Sequence, residues 1–172
     1  MAKALIVIDY ENEWIDKDSE YYVGDISKQI AKLNKLIKFC RLKKMLIIFI
    51  AHVDMNSKTE FVNGSKNVDI ISTVDYRKGQ DVLIKKNTIS AFCKTQMETT
   101  LKKLKIDEVW VTGILTNLCV RSFISDAYDR DFNIVVITDT CVAFDKKTHD
   151  FTINDLKQTR PEIKFKIVND II

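Results

Sequence analysis

The sequence lacks the features that mark disulfide-rich, membrane-spanning and nucleic-acid-binding proteins. No two of its four cysteines are close together, so it has neither a CxxC pair nor a zinc-binding pattern. Its apolar runs are far too short to cross a bilayer. The net charge is only +3 and no basic stripe is present, which excludes nucleic acid as an expected partner. The chain opens with MAKALIVIDY rather than a signal peptide, so we expect a cytoplasmic protein without disulfides or membrane contact.

The composition is that of a globular protein. Of 172 residues, 46% are hydrophobic and 30% are charged. This length predicts one domain, spanning residues 1–172. There is no internal repeat or low-complexity segment.

Short apolar runs alternate with segments of helical periodicity. This alternation predicts an α/β fold, in which a parallel sheet is connected by right-handed crossovers. The predicted strands are 4–8, 45–51, 81–84, 109–111, 134–137 and 165–168. Residues 11–24 are predicted to form a loop, and residues 53–79 are the least regular segment.

Polar residues mark where the helices are predicted to begin. Asp25 is predicted to cap a helix whose apolar face runs from Ile26 to Cys40, which makes Cys40 a core residue. Thr95 and Glu98 have the spacing of a capping box for a helix with Met97, Leu101 and Leu104 facing inward. Thr116 is predicted to cap a further helix, and residues 149–156 to form the last one.

Chemically capable side chains follow the predicted strands. Asp9, His52, Lys86 and the turn before Cys119 each come after a strand, so parallel topology places all four at one edge of the sheet. Cys119 falls in the first turn of its helix, where the dipole favours the nucleophilic thiolate. The alternative for Cys119 is a small buried apolar residue, as free cysteines often are.

These residues suit nucleophilic acyl transfer. The Cys119 thiolate would attack an electrophilic carbon, while Asp9 takes the thiol proton and returns it to the leaving group. The Lys86 ammonium would support both charges. The turn at residues 113–116 could aim backbone N–H groups at a developing oxyanion. Neither His52 nor His149 lies where a Cys/His pair would require it, so a carboxylate has to act as the general base.

Three motifs of the chain resemble those of the isochorismatase-like cysteine hydrolases, a family that includes nicotinamidases and related amidases. The first family motif is matched by ALIVIDYENEW, with Asp9 in the place of the catalytic aspartate. The second is matched by Lys86 followed by Ser-Ala-Phe at residues 90–92. The third is matched by GILTNLCV at residues 113–120, with Cys119 as nucleophile. Ser-Asp-Ala at residues 125–127 also fits the family pattern.

The resemblance implies a three-layer, Rossmann-like α/β fold with helices on both faces of a six-stranded parallel sheet in the order 3-2-1-4-5-6. It also implies a non-proline cis peptide between Ile114 and Leu115, with the amides of Leu115 and Cys119 facing an oxyanion. A homodimer or homotetramer is expected, with a small molecule as substrate.

The chain departs from the family's nicotinamidases, which usually bind a metal through an Asp-x-His pair after the second strand. His52 matches that histidine, but Ile50 replaces the aspartate, and no histidine lies between His52 and His149. A single imidazole is too few ligands for zinc. We therefore predict no metal and no other cofactor. Glu11 replaces the family's glutamine and is predicted to raise the pKa of Asp9.

The predicted activity is metal-independent hydrolysis of a C–N bond in a small molecule through a Cys119 thioester. Trp14 and His52 are the predicted substrate contacts. His149 is read as structural. Alternatives are a nicotinamidase, a non-catalytic binding protein on the same scaffold, and a redox-sensing thiol protein in which Cys141 approaches Cys119. The substrate is left open, because nicotinamide, ureido acids, carbamoyl compounds and isochorismate-like ethers all occur in the wider group.

Overall fold

The computed structural model describes residues 2–172 and contains six strands. They are β1 (Ala2–Ile8), β2 (Leu46–His52), β3 (Val82–Lys86), β4 (Ile106–Ile114), β5 (Asn133–Val142) and β6 (Lys164–Lys166). All neighbouring strands are parallel, and they lie in the order 3-2-1-4-5-6. This confirms the predicted α/β fold. Strands β1 and β4 lie side by side where the strand order reverses, which is where such sheets hold ligands.

Helices cover both faces of the sheet. They are α1 (Ser27–Leu42), α2 (Met97–Lys103), α3 (Arg121–Tyr128) and α4 (Lys146–Thr159). Apolar residues of α1 pack on one face, and those of α2, α3 and α4 pack on the other. The short turns are 3₁₀ at Asn12–Ile15, Lys66–Val68 and Val168–Asp170, and π-helical at Thr116–Val120. No helix within residues 2–172 has the length and apolar character needed to cross a membrane.

Helix α1 shows how the apolar periodicity determines packing. Leu33, Ile37 and Cys40 recur at spacings of four and three, and all three are fully buried against the sheet. They belong to the same apolar cluster as Leu5 and Phe49 of the central strands. Burying one such leucine contributes roughly 1.5–3 kcal/mol. The prediction that Cys40 is a core residue is confirmed.

The predicted helix caps are wrong. Asp25 lies one residue too early to cap α1, although its carboxylate accepts the Ser27 N–H at 2.8 Å. Thr95 accepts the Met97 N–H at 3.1 Å, but Gln96 precedes α2, and Glu98 pairs with Lys102 instead of closing a capping box. In each case a polar side chain makes a turn just ahead of the helix.

Three further details differ from the prediction. Thr116 does not cap a helix, because its hydroxyl hydrogen-bonds to the His149 ring at 2.9 Å. Leu104 follows the last residue of α2 and is 45% exposed, so it does not face inward. The last strand ends at Lys166, and Val168 is buried in a 3₁₀ turn instead.

Strand β5 runs beyond its predicted end at residue 137 because the pairing with β4 changes register. After Val111 the register shifts, so that Gly113 pairs with Cys141. The Thr140 carbonyl accepts the hydroxyls of Tyr10 at 2.7 Å and Thr112 at 2.6 Å. These bonds hold the carboxyl ends of β1, β4 and β5 together.

Gly113 sets the distance between the two central strands at this edge. A Cβ added there would lie 2.5 Å from the Ile8 Cβ and 2.6 Å from the Ile8 oxygen, and its φ of +153° disfavours other residues. We predict that Gly113→Ala destabilises the protein by about 3 kcal/mol or more, through overpacking and backbone strain. Urea unfolding measures this. Gly64→Ala is a control for the effect of φ alone, since a Cβ there meets nothing within 4 Å. Equal losses in both variants would contradict the role of the Ile8 contact.

Candidate active site

Four chemically capable side chains meet at the carboxyl edge of the central strands. Asp9 directly follows β1 with a left-handed φ of 53°, and its N–H donates to the Ile50 carbonyl at 2.8 Å. His52 ends β2 and pairs in register with Lys86, which ends β3. Cys119 lies in the π-helical turn that follows β4. The parallel topology therefore brings together residues that are up to 110 positions apart in the sequence.

The Lys86 ammonium is the centre of this group. Its Nζ lies 2.8 Å from Asp9 Oδ2, 3.3 Å from Cys119 Sγ and 3.2 Å from His52 Nδ1. The Lys86 and Asp9 side chains are both fully buried. The Lys86 cation thus contacts both a carboxylate and a thiol, and the ion pair is shielded from water.

Burial and pairing act in opposite directions on the pKa values of this ion pair. Burial raises the pKa of Asp9, while the Lys86 ammonium counteracts that rise. Burial acts to lower the pKa of Lys86, but the charge of Asp9 and the contact with Cys119 raise it overall. Lys86 is therefore a cation at neutral pH, and Asp9 is a stronger base than an exposed carboxylate.

The resting form of Cys119 differs from the prediction. The residue is 8% exposed, and burial followed by the charge of Asp9 raises the pKa of its thiol to about 12. Lys86 lowers that pKa, but by less than burial raises it. The expected stabilisation of a thiolate at a helix start is wrong for the resting site, because burial outweighs it. The proton must therefore leave Cys119 as the thiol reacts.

Cys119 lines a cavity of about 230 Å³. Three aromatic side chains line it as well, and they pack on one another with ring centroids 5.1 to 5.9 Å apart: Trp14, Tyr21 and Phe61. Trp14 is buried, and its indole N–H has no hydrogen-bond partner within residues 2–172. Of these aromatics, only Trp14 was predicted. Phe61 comes from the irregular segment 53–79, where no periodicity marks a pocket residue.

The turn before Cys119 carries two unusual features. The peptide bond between Ile114 and Leu115 is cis. Thr116 is fully buried, and its hydroxyl is held by the His149 ring. His149 is not among the residues that line the Cys119 cavity. The orientation of the Leu115 and Cys119 amides toward an oxyanion stays a prediction.

Comparison with known proteins decides the family. The isochorismatase domain matches residues 3–163, which is most of the chain. This protein belongs to the isochorismatase family of hydrolases. Nicotinamidase 3 of Arabidopsis thaliana is 30% identical over 168 residues, covering 89% of this chain and 79% of the relative. A second Arabidopsis protein, named as a probable inactive nicotinamidase, is 22% identical and covers 90% of this chain and 87% of its own.

The fold of this isochorismatase-family chain also matches solved structures. An isochorismatase-like hydrolase from Alkaliphilus metalliredigens superposes with a TM-score of 0.90. The two sequences are 23% identical, and the match covers 99% of this chain and 97% of the other. At this identity the likeness supports the fold alone. The predicted family is confirmed by the domain match and by Nicotinamidase 3.

His52 lines the cavity beside Cys119. Burial, followed by the nearby Lys86 charge, lowers the pKa of His52, so the ring is neutral at pH 7. Its ring packs edge-on against Phe61 with centroids 5.0 Å apart. Lys86 contacts the Nδ1 side of this neutral ring, so a substrate in the cavity can contact only the rest of the ring.

The residues do not fit the metal site of the family's nicotinamidases. Within residues 2–172, no group of three or more histidine, cysteine, aspartate or glutamate side chains is arranged to hold a metal ion. Ile50, in the place of the expected aspartate, is fully buried in the core. His52 Nδ1 faces the Lys86 cation, which would repel a second cation.

The surroundings of Cys141 do not support a redox-sensing function in which Cys141 pairs with Cys119. All four cysteines are free. Cys141 is buried, and its thiol donates to the Ile137 carbonyl at 3.4 Å. Burial raises the pKa of the Cys141 thiol to about 12, which disfavours the reactive thiolate. Cys141 therefore serves as part of the core.

Glu11 is an acidic residue whose proximity to Asp9 was predicted from the sequence, whereas its complete burial was not. It is fully buried, and one carboxylate oxygen accepts the His52 N–H at 3.0 Å, while the other has no partner within residues 2–172. Burial, followed by the charge of Asp9, raises the pKa of Glu11 well above its ordinary 4.5. The sequence predicts that Glu11 raises the pKa of Asp9, but burial is the main cause of the raised Asp9 pKa.

We predict that Glu11→Gln stabilises the protein increasingly as the pH rises. A raised folded-state pKa means that the native state binds more protons than the unfolded state above pH 4.5, so wild-type stability falls with rising pH. Removing the group removes that loss, which is at most about 1.4 kcal/mol per pH unit. Urea unfolding of both proteins at pH 5 and pH 8 measures the difference. A gap between variant and wild type that stays constant with pH would show that Glu11 titrates normally.

Proposed function

We propose that this isochorismatase-family hydrolase is a cysteine-dependent, metal-independent amidase that cleaves a C–N bond in a small molecule. The observation that carries the proposal is the position of Lys86 Nζ, 2.8 Å from Asp9 and 3.3 Å from Cys119, because both of these partners line the same cavity. A structural thiol needs neither a buried ion pair beside it nor access to a cavity.

The first half of the reaction forms a thioester. Cys119 Sγ attacks the carbonyl carbon while its proton passes to Asp9, so that the high pKa of the resting thiol is overcome only as the new bond forms. The backbone N–H groups of Leu115 and Cys119 are the proposed donors to the oxyanion. The tetrahedral intermediate then collapses, the C–N bond breaks, and Asp9 gives its proton to the departing amine.

The second half releases the acid. Water attacks the thioester carbon and passes a proton to Asp9, and collapse of that intermediate expels Cys119, which takes the proton back. One amide and one water therefore give one carboxylic acid and one amine. Lys86 keeps its proton throughout and balances the charge on Asp9 and on the sulfur.

Two other functions compete with this proposal. Hydrolysis of nicotinamide is favoured by the relationship to Nicotinamidase 3. A non-catalytic binding protein is suggested by the relative named as a probable inactive nicotinamidase. Against the second, the chain keeps Asp9, Lys86 and Cys119 in contact, which binding alone does not require.

A panel of small amides, assayed for ammonia release with and without a chelator, tests the proposed activity. The panel includes nicotinamide. We expect at least one of its amides to be hydrolysed at the same rate with and without the chelator, because the described side chains offer no three-ligand metal site. Activity that a chelator removes and zinc restores would overturn the metal-independent mechanism. A failure of every amide on the panel would favour the non-catalytic alternative.

A further inference from the structure

The cavity beside Cys119 has an uneven distribution of charge. Two acidic side chains line it in addition to Asp9, namely Asp54 and Glu60. No arginine or lysine is among its lining residues within residues 2–172, and Lys85 and Lys94 line a separate cavity. Because Lys86 neutralises Asp9 and His52 is uncharged, the two remaining carboxylates give the cavity a negative charge.

The charges of Asp54 and Glu60 are not cancelled by neighbours. Asp54 accepts the N–H groups of Asn56 and Ser57 at 2.8 and 3.1 Å, which orients the carboxylate. Glu60 accepts the Thr59 hydroxyl at 2.5 Å. Neither forms a salt bridge with any side chain of residues 2–172. A ligand group of opposite charge could therefore pair with them.

The aromatic wall suits the same ligand. The rings of Trp14, Tyr21 and Phe61 present π surfaces that attract cations as well as flat apolar groups. Glu13 anchors this wall from behind, since its buried carboxylate accepts the Phe61 N–H at 3.1 Å and the Ser19 hydroxyl at 2.6 Å. Trp14 lines the cavity, and its buried indole N–H has no hydrogen-bond partner within residues 2–172.

The size of the cavity limits the ligand. At about 230 Å³ it is smaller than the roughly 300–1,000 Å³ of pockets that hold drug-sized molecules. A single ring or short chain with an amide at one end fits this description. A carboxylate at the other end would meet acidic side chains and no basic partner, which costs affinity.

Resting on the proposed amidase function, we propose that the substrate is a small amide carrying an amine or other positive charge at the end remote from the cleaved bond, and that carboxylate-bearing amides are rejected. The amide carbonyl lies at Cys119, the body of the molecule packs on the aromatic wall, and the cation pairs with Asp54 and Glu60. The charges of Asp54 and Glu60 exclude ureido acids and other anionic substrates of the wider family.

Three matched probes test the proposal: 3-(aminomethyl)benzamide, benzamide and 3-carbamoylbenzoate. For the wild-type protein we expect kcat/KM to fall in that order, by roughly tenfold at each step. Asp54→Asn and Glu60→Gln should each lower the preference for the amine over the carboxylate by about tenfold. Asp129→Asn, which removes an exposed charge at the far end of α3, should leave the preference unchanged.

Binding separates this inference from the proposed function. Calorimetric titration of the Cys119→Ala protein with the three probes should give the same order of affinity, even if none of them is hydrolysed by the wild type. Ammonia release without that order would overturn the charge proposal and leave the amidase function standing. Tighter binding of the carboxylate, or no binding of any probe, would also overturn it.

Discussion

Replacing Cys119 with alanine is expected to abolish amide hydrolysis while the protein stays folded. No other thiol lines the cavity, so no neighbouring group within residues 2–172 can form the thioester in its place. Loss of a covalent nucleophile typically reduces turnover by roughly 10⁴-fold or more. The stability change should be about 1 kcal/mol, since one sulfur atom is removed from a mostly buried site.

Three measurements check this result. Ammonia release gives the activity, circular dichroism gives the fold, and intact-mass spectrometry after brief exposure to an aldehyde or amide reports a covalent adduct in the wild type. Cys93→Ala is the matched control, because Cys93 is an exposed free thiol that is not among the cavity residues. Full activity in the Cys119 variant, or an adduct that persists in it, would refute the assignment of the nucleophile.

Replacing Asp9 with asparagine is expected to damage both activity and stability. The variant loses the acceptor of the thiol proton, which should lower turnover by about 10²- to 10⁴-fold. It also leaves the Lys86 ammonium without its partner in a fully buried position. Removing one member of a buried ion pair costs about 3–5 kcal/mol, because the desolvated charge that remains is uncompensated.

A double variant separates the two effects. Asp9→Asn combined with Lys86→Met removes both charges, so it should regain much of the lost stability without regaining activity. Asp150→Asn is the control for ion pairs in general, since Asp150 pairs with Lys146 on the exposed side of α4 and should cost less than about 1 kcal/mol. A double variant as unstable as Asp9→Asn alone would mean that Lys86 is not an isolated buried cation. Activity in the double variant would exclude the pair from the chemistry.

The sequence by itself determined the class of fold and the edge of the sheet that holds the candidate site. Continuous apolar runs and period-3.6 apolar patterns are local, so the six strands and the apolar face of α1 could be predicted from neighbouring residues. Parallel strands share one carboxyl edge by geometry, and Asp9, Lys86 and Cys119 were placed together on that ground. Strand ends and helix caps were predicted less well. Thr116 bonds to His149, whose position depends on the fold, and Asp25 makes a local turn with Ser27 instead of a cap.

Only the tertiary structure decided the electrostatics of the site and the lining of its cavity. Whether Cys119 rests as a thiol depends on how completely its neighbours exclude water, and no sequence pattern reports that exclusion. Phe61, Asp54 and Glu60 lie in a segment without periodicity, so their contribution depends on long-range contacts such as the Phe61 N–H to Glu13. Motif spacing gave the reacting groups because they lie at strand ends, whereas burial and long-range packing determined their protonation and the charge that a substrate would meet.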